Sequence, residues 1–374
     1  MLELRLDCRH FRGDKPCRLG ALCKGCSGYE PMGARVLVIK LDAIGDVART
    51  TPILRPLRKK YRPCHVTWLA APAAFGLVRN HPLIEVALPY GNASLERLRV
   101  ERFDLVLSLD KTQAATSVAM NVTAPLKLGF GLSRYGTVYP LNEEAEYAFQ
   151  LGLDDELKFR RNQRTYQDVI FEVCCLPYGR EGYELPLPDE ERALAARKLR
   201  VLGIGEEDTV IGLNLGGGVM FAHKMWDVSE CAGFLRLLRE KTDCKVVLFG
   251  ATREREKTEE LLASGIEGVV GSGLDNTLKQ FQALLARCNV LVGGDSLGMH
   301  LAIAEKVPQV VLFGPTCSQE IELYGRGEKI VAPVDCAPCY SKRCARSLSC
   351  MSHIDPAEVL VAVERLLSSR GKDS

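Results

Sequence analysis

The sequence has no long apolar run. No stretch reaches the roughly 18 uninterrupted apolar residues of a membrane-spanning helix, and the N-terminal segment MLELRLDCRHFRGDK lacks the apolar core of a signal peptide. Both absences argue against a membrane-spanning or secreted protein, so we expect a cytoplasmic one. Hydrophobic residues still make up 47% of the 374 residues, enough for a sizeable core, and the length favours two domains over one.

A strong net charge is also absent. The formal charge is only +2, yet residues 1–180 carry 26 Lys and Arg against 19 Asp and Glu, whereas residues 181–374 carry 23 against 28. The basic half suits an anionic partner, and an ordinary solvated surface explains it equally well. We expect no nucleic-acid partner.

Cysteine, in contrast, occurs 15 times. Without a signal peptide, these residues indicate buried thiols or metal ligands rather than disulfides. Two groups are spaced closely enough to bind zinc or iron through four thiolates, and packed, reduced thiols are the alternative for both. One group is C-x2-C-x4-C-x5-C near the C-terminus, Cys336, Cys339, Cys344 and Cys350; the other lies in the leader, with His10 as a spare ligand, Cys8, Cys17, Cys23 and Cys26.

Strand-like and helix-like segments alternate along the chain, which predicts an α/β protein. After a Cys-rich leader (1–33), short apolar runs at Val36–Ile39, Val66–Leu69 and Leu105–Leu107 fit buried parallel strands. Two prolines and an acidic helix start place a boundary in REGYELPLPDEERALAARKLRVLG. We therefore expect domains at 34–184 and 185–374.

Glycine follows or ends four predicted strands of the second half, TVIGLNLGGG, KVVLFG, NVLVGG and QVVLFGPT. Ligands of open parallel sheets bind beyond the carboxyl ends of the strands, where glycine lets backbone N–H groups approach a phosphate. Because Lys224, Asp295 and Thr316 lie close to these glycines in the sequence, we predict a nucleotide site here. Neither G-x-G-x-x-G nor G-x-x-x-x-G-K-[ST] is present at these strand ends, which argues against NAD and P-loop chemistry.

Seven segments in this order resemble glycosyltransferase family 9, the ADP-heptose glycosyltransferases: KLDAIGDVARTTPIL, WLAAPAAFGLVRNHPLIEVAL, LNLGGG…HKMW, VVLFGATREREK, VLVGGDSLGMHLAIA, VVLFGPT and DCAPCYSKRCARSLSCMSHIDPAEVL. The resemblance covers about residues 34–368. It implies a glycosyltransferase B fold, in which two Rossmann-like domains face a cleft. It also implies an inverting transfer of heptose from ADP-heptose to a lipopolysaccharide inner-core (Kdo or heptose) acceptor, with no cofactor required for the chemistry. That acceptor is an anionic, lipid-linked oligosaccharide, so peripheral contact with the inner face of the cytoplasmic membrane is expected.

The resemblance makes Asp46 the catalytic residue. Inverting transfer needs a base that removes the acceptor hydroxyl proton as the oxygen attacks the anomeric carbon. Asp46 stands in the Gly-Asp pair after the first strand, where Gly45 would permit a tight turn into the cleft. An aspartate that only caps the following helix is the alternative explanation, and the two roles are compatible.

The donor side is expected to meet the diphosphate with a cation and with amide dipoles. Lys224 corresponds to the phosphate-binding lysine of the family, and Asp295 is expected to orient amides or a ribose hydroxyl. The family commonly has glycine directly after the Ser or Thr of GGDS, but here Leu297 intervenes. The full set of predicted donor-binding residues is Gly216, Gly217, Lys224, Thr252, Asp295, Ser296, Gly298, His300, Gly314 and Thr316.

Two other functions compete with this prediction. One is a sugar-nucleotide epimerase of the same architecture, which transfers nothing to an acceptor. The other is a nucleotide-binding regulatory protein that responds to metal or redox state through its cysteines. Intact Asp46 and Lys224 argue against the second.

Overall fold

The computed structural model describes residues 3–41, 43–217 and 223–370. These residues form two compact units. The first comprises the described residues up to 150 together with 168–181, and the second comprises 151–167 together with the described residues from 182 onward. The chain thus passes from the first unit to the second at 150/151, returns to the first within a helix at 167/168, and enters the second again at 181/182.

The first unit contains a six-stranded sheet. Its strands are β1 (Ala34–Ile39), β2 (Cys64–Ala70), β3 (Val86–Pro89), β4 (Leu105–Ser108), β5 (Leu126–Leu132) and β6 (Val138–Pro140). The helices of this part of the chain are α1 (Ile44–Thr50), α2 (Leu54–Lys60), α3 (Phe75–Val78), α4 (Asn92–Val100), α5 (Gln113–Asn121) and α6 (Glu146–Gln150), with 3-10 turns at Thr51–Ile53 and Glu143–Ala145. A π-helical turn (Leu157–Arg161) and α7 (Tyr166–Val173) follow.

The first sheet has the order β3-β2-β1-β4-β5-β6, and all neighbours are parallel except β5 and β6. Strand β1 is therefore central, and Val36–Ile39 are fully buried, as expected for a parallel strand covered on both faces. The three strands predicted in this half are confirmed as β1, β2 and β4. Because β1 lies between β2 and β4, its carboxyl end is the point from which the chain reverses direction across the sheet.

The second unit contains another six-stranded sheet, all parallel, with the order β12-β11-β10-β7-β8-β9. The strands are β7 (Val210–Asn214), β8 (Lys245–Phe249), β9 (Val269–Gly271), β10 (Val290–Gly294), β11 (Gln309–Phe313) and β12 (Gly327–Val331). The helices are α8 (Asp189–Val201), α9 (Val228–Lys241), α10 (Arg255–Ala263), α11 (Leu278–Leu285), α12 (Leu297–Ala304) and α13 (Pro356–Arg370), with 3-10 turns at Thr252–Glu254 and Cys350–His353.

The four strands predicted to precede glycine are neighbours in this second sheet. They are β11, β10, β7 and β8, in that spatial order. Their carboxyl ends therefore share one edge, where the predicted nucleotide site would lie. On one side of the sheet, Trp226 and Phe234 pack together, and the Trp226 indole donates to the Ile354 carbonyl at 3.2 Å, which fixes the chain leading to α13.

Candidate active site

Two charged side chains are buried where β1 and β4 end. Lys40 and Asp110 are only 5% and 6% exposed. The Lys40 ammonium donates to the Asp110 carboxylate and to the Leu109 carbonyl, the latter at 3.2 Å, and the Leu41 N–H donates to the other Asp110 oxygen. Removing one partner of a buried ion pair typically destabilises by about 3–5 kcal/mol. The pair thus fixes the chain as it leaves β1 toward α1, and the sequence analysis did not identify it.

Asp46 lies in the first turn of α1, immediately beyond this pair. One carboxylate oxygen accepts the Ala43 N–H at 3.0 Å, and the other is 2.6 Å from the Arg49 guanidinium. Ala43, not Asp46, is the N-cap residue, so Asp46 caps the helix from its third position. Gly45 is itself helical, so it does not form the tight turn expected there. The carboxylate remains 32% exposed, which leaves it accessible to a ligand.

In the second unit, Lys224 and Asp295 form an ion pair at the carboxyl edge of the sheet. Their side chains are 2.9 Å apart and largely buried. Burial alone would raise the pKa of the Asp295 carboxyl, but the charges of Lys224 and His300 and the hydrogen bond from Lys224 hold the pKa below its ordinary value. Asp295 therefore holds the Lys224 ammonium in place, and its expected contact with amides or a ribose hydroxyl stays a prediction.

Asn214, the last residue of β7, organises the start of α12. Its amide donates to the Ser296 hydroxyl at 2.8 Å and to the Gly216 carbonyl at 3.3 Å. Ser296 is the N-cap of α12, and Gly298 leaves room for the amide, since a Cβ there would lie 2.9 Å from Asn214 Nδ2. The lack of a side chain at Gly298 thus lets the start of α12 pack closely against Asn214. Asn214 was not predicted from the sequence. The signal that could have identified it is a polar residue at the end of an otherwise apolar strand.

His300 and Thr316 lie on neighbouring elements of the same unit. His300 is buried in α12, and its Nδ1 is 3.1 Å from the Tyr183 hydroxyl. Thr316 follows β11, and its buried hydroxyl lies beside the Asp295 carboxylate without a well-formed hydrogen bond in the described part of the chain. The structure therefore brings Lys224, Asp295 and Thr316 together, as the sequence predicted.

The remaining predicted donor residues have different surroundings. Gly217 is buried after β7, and the stretch from Gly218 to Ala222 lies outside the described residues. Thr252 is exposed at the start of a 3-10 turn, whereas Glu254, which was not predicted, is the residue nearest to Gly216, at 3.8 Å from a Cβ added there. Gly314 packs against Cys350 and Met351, which a side chain at this position would clash with.

The C-terminal cysteines lie in the chain between β12 and α13. Cys336, Cys339 and Cys344 are exposed and Cys350 is buried. Burial raises the pKa of the Cys350 thiol, and the three other thiols raise it further, so they are its neighbours. Over residues 3–41, 43–217 and 223–370, no three or more His, Cys, Asp or Glu side chains are arranged to hold a metal ion. A metal at this quartet stays a prediction.

Comparison with known proteins identifies the family. Residues 93–349 match the family described as glycosyltransferase family 9 (heptosyltransferase). The chain belongs to glycosyltransferase family 9. A relative, lipooligosaccharide heptosyltransferase 2 of Campylobacter jejuni, is 30% identical to this glycosyltransferase over 333 residues, which cover 87% of this chain and 96% of the relative.

Solved structures agree with the fold of the glycosyltransferase. A family 9 glycosyltransferase of Veillonella parvula aligns with a TM-score of 0.73 at 21% identity, over 90% of this chain and 98% of that one. The ADP-heptose lipopolysaccharide heptosyltransferase II of E. coli gives 0.64 at 20% identity, over 90% and 99%. The glycosyltransferase B fold and the family assignment expected from the sequence are thus confirmed. Within its described residues, the glycosyltransferase has no helix long and apolar enough to cross a bilayer.

Proposed function

We propose that this glycosyltransferase transfers a heptose from ADP-heptose to a lipopolysaccharide inner-core acceptor, with inversion at the anomeric carbon. The observation that carries the proposal is the nearly end-to-end likeness to a relative named as a lipooligosaccharide heptosyltransferase. The epimerase and regulatory alternatives are not favoured by membership of a heptosyltransferase family.

Asp46 serves as the base in this proposal. Its carboxylate takes the proton of the acceptor hydroxyl while that oxygen bonds to the anomeric carbon and the bond from this carbon to the ADP oxygen breaks. Two features of the first unit support the assignment. The carboxylate is partly exposed, and the Ala43 N–H and the Arg49 guanidinium hold its two oxygens in fixed positions.

Lys224 serves as the cation that meets the diphosphate. Negative charge grows on the departing ADP as the sugar gains oxocarbenium character, so a positioned ammonium group lowers the barrier. The Asp295 carboxylate holds this ammonium at the edge where the four strands end. The N-terminus of α12 lies directly after Asp295, and its free N–H groups are suited to a phosphate oxygen.

The rest of the donor is assigned to side chains near the same edge. Thr316 has a buried hydroxyl beside the Asp295 carboxylate, from which it could turn to donate to a phosphate oxygen. Glu254 lies beside the glycine run that follows β7, where a carboxylate can accept from a ribose hydroxyl. The transfer itself is proposed to need no cofactor.

The proposed acceptor is lipid-linked, so the glycosyltransferase is expected to touch the membrane surface peripherally. The leader supports this expectation, because Leu6 and Leu22 are 68% and 86% exposed among six Lys and Arg residues within residues 1–33. Exposed leucines flanked by cations favour binding to an anionic lipid surface.

The experiment that tests the function is ADP release from ADP-heptose with and without a lipid A–Kdo acceptor. Transfer predicts ADP release that depends on the acceptor, together with a glycolipid product heavier by one heptose in mass spectrometry. Equal ADP release in both reactions would favour the epimerase-like alternative. Binding of ADP without turnover in either reaction would favour a regulatory protein.

A further inference from the structure

The Cys-rich leader folds around a small cavity that is separate from the residues assigned to transfer. The cavity has a volume of about 10 Å³. The residues around it include His10 and all four leader cysteines, Cys8, Cys17, Cys23 and Cys26. Cysteines that lie up to 18 residues apart in the sequence therefore line one cavity, although among the described residues no three of these side chains are placed to hold a metal ion as they stand.

Within its described residues, the leader has little regular secondary structure and no apolar core. Its described part, residues 3–33, contains no helix, and its only strand-like pairing is a single antiparallel bridge between Cys8 and Pro31. The large apolar side chains Leu4, Leu6, Leu19 and Leu22 are each at least half exposed, so they form no core. Segments of this size without a core usually need a metal or disulfides to fold. All four leader cysteines are free thiols.

Backbone turns prepare two of the cysteines for one ion. The Cys26 N–H donates to the Cys23 carbonyl at 3.2 Å, which closes a β-turn across the C-x2-C pair. Gly25 occupies the third position of this turn with φ of +70°, where other residues are strained. Because the ends of a β-turn lie within about 7 Å of each other, both thiols can reach the same ion.

The fifth candidate ligand is already engaged. The His10 ring lies 3.4 Å from the Glu30 carboxylate, whereas Cys8 is a free thiol that is only 6% exposed. Four thiols and no imidazole thus form the natural ligand set. Four sulfur ligands in a tetrahedral arrangement are typical of zinc and iron.

We propose that Cys8, Cys17, Cys23 and Cys26 bind one zinc or iron ion that holds the leader folded. The cavity has room for about one water-sized sphere, which suits a single ion. Binding draws the four sulfurs to about 2.3 Å from the metal and releases the thiol protons to solvent.

The ion would act on stability and not on transfer. Arg9 ties the leader to the first sheet by donating to the Cys64 carbonyl at 3.3 Å and approaching Glu85 at 3.9 Å. Cys64 begins β2 and Glu85 precedes β3, so the leader lies at the amino ends of these strands. Asp46 follows the carboxyl end of β1, at the opposite edge of the same sheet.

The test uses the full-length protein, purified under reducing conditions without added metal. Elemental analysis should find one zinc or iron ion per chain fewer in the variant Cys23→Ser/Cys26→Ser than in wild type. The matched control, Cys244→Ser, removes a thiol outside both cysteine groups and should keep the wild-type metal content. Unchanged metal content in the double variant overturns the proposal.

A second measurement needs no variant, so it stands even if the double variant fails to fold. Wild-type protein is alkylated with and without a chelator, and the modified cysteines are mapped by mass spectrometry. Coordination should protect Cys17, Cys23 and Cys26, so the chelator should raise their alkylation by about tenfold or more, while Cys244 should not change. Equal alkylation under both conditions, or a leader disulfide in the mapped peptides, contradicts the ion.

Discussion

The Asp46 carboxylate is engaged on both oxygens, by the Ala43 N–H and by the Arg49 guanidinium. Such a group stabilises its helix whether or not it takes part in chemistry. A substitution that separates the capping role from the basic role is therefore the informative one. Asparagine does so, since its amide oxygen still accepts the Ala43 N–H while the charge is lost.

For Asp46→Asn we expect the transfer rate to fall by about 100- to 10,000-fold, the usual loss when a general base is removed. ADP affinity should stay near the wild-type value, because the residues assigned to ADP lie in the other unit. Steady-state kinetics and calorimetry measure the two quantities. Asp189→Asn, which removes an exposed acid from the first turn of α8, serves as the control. Transfer at the wild-type rate in the Asp46 variant would show that the residue is only a cap.

For Lys224→Ala we expect ADP to bind about 10- to 100-fold more weakly, the loss typical of a charged hydrogen bond, and transfer to slow at least as much. The Asp295 carboxylate would lose its cation, so the variant should also unfold more easily. The variant Lys224→Met/Asp295→Asn separates the two effects, since it leaves no unpaired charge. It should regain stability without regaining ADP affinity. Calorimetry that finds unchanged ADP affinity in Lys224→Ala would make the pair purely structural.

The Asp295 pair should also give stability a defined pH dependence. The folded-state pKa of Asp295 is lowered, so its contribution is present above the unfolded-state value, about 3.9, and disappears as the pH falls through the folded-state value. We expect the difference in unfolding free energy between wild type and Asp295→Asn to shrink as the pH falls below about 4. Urea denaturation at each pH measures it. A difference that grows as the pH falls below about 4 would contradict the lowered pKa.

For single residues, the sequence indicated which charged side chains belong to the candidate site better than it indicated which of them form ion pairs. Lys224 and Asp295 were both predicted from their positions after glycine-rich strands, but they are 71 residues apart, and no local pattern shows that they pair. The Lys40–Asp110 pair was missed for the same reason, because each residue merely follows a buried strand. Such pairs depend on which strands become neighbours in the sheet.

The regular elements were more predictable. Each strand named from the sequence is a mainly apolar run, and such runs are typical of parallel strands covered on both faces. Helix α8 begins with three acids and ends before Gly203, whose φ of +80° fits a helix terminus. The association of 151–167 with the second unit could not be predicted, because it depends on tertiary contacts such as that of the Tyr166 N–H with the Glu320 carbonyl at 2.9 Å.

Helix α12 provides a test at the level of an element. In Gly298→Ala, the added Cβ would lie 2.9 Å from Asn214 Nδ2 and 3.2 Å from Phe281, so the amide must move away from Ser296. We expect overpacking to lower the unfolding free energy by about 1–3 kcal/mol. Because Ser296 also loses its fixed orientation, ADP affinity should fall as well. Thermal unfolding and calorimetry measure the two effects.

The matched control is Gly233→Ala in α9. A Cβ at Gly233 meets only Pro356, at an ordinary contact distance of 3.7 Å. The same substitution should therefore stabilise this helix by about 0.5–1 kcal/mol, since alanine favours helix over glycine. If Gly298→Ala were as stable as this control, the close packing of Asn214 against α12 would be wrong.

At the scale of the whole molecule, the uneven charge of the two halves suits the binding of acceptor and donor by different residues. Residues 1–180 carry the excess of Lys and Arg, and this range includes Asp46 and the leader. The residues proposed to bind the donor lie in the second half, where acids predominate and where Lys224 is paired with Asp295. A lipid-linked anionic acceptor would thus approach the basic half, whereas the nucleotide would be recognised by a few positioned groups.

This arrangement predicts that the full-length protein co-sediments with vesicles containing anionic phospholipid and much less with neutral vesicles. Basic residues near a lipid surface contribute about 1 kcal/mol each at low salt, so binding should weaken as salt is raised. The variant Leu6→Ser/Leu22→Ser keeps the charge but removes apolar contact, and it should bind anionic vesicles more weakly than wild type. Val201→Ser, at a residue that is 88% exposed at the end of α8, should bind like wild type. Equal binding by all three proteins would mean that the membrane contact lies outside the leader. If wild type does not bind the vesicles, the acceptor must be recognised without membrane contact.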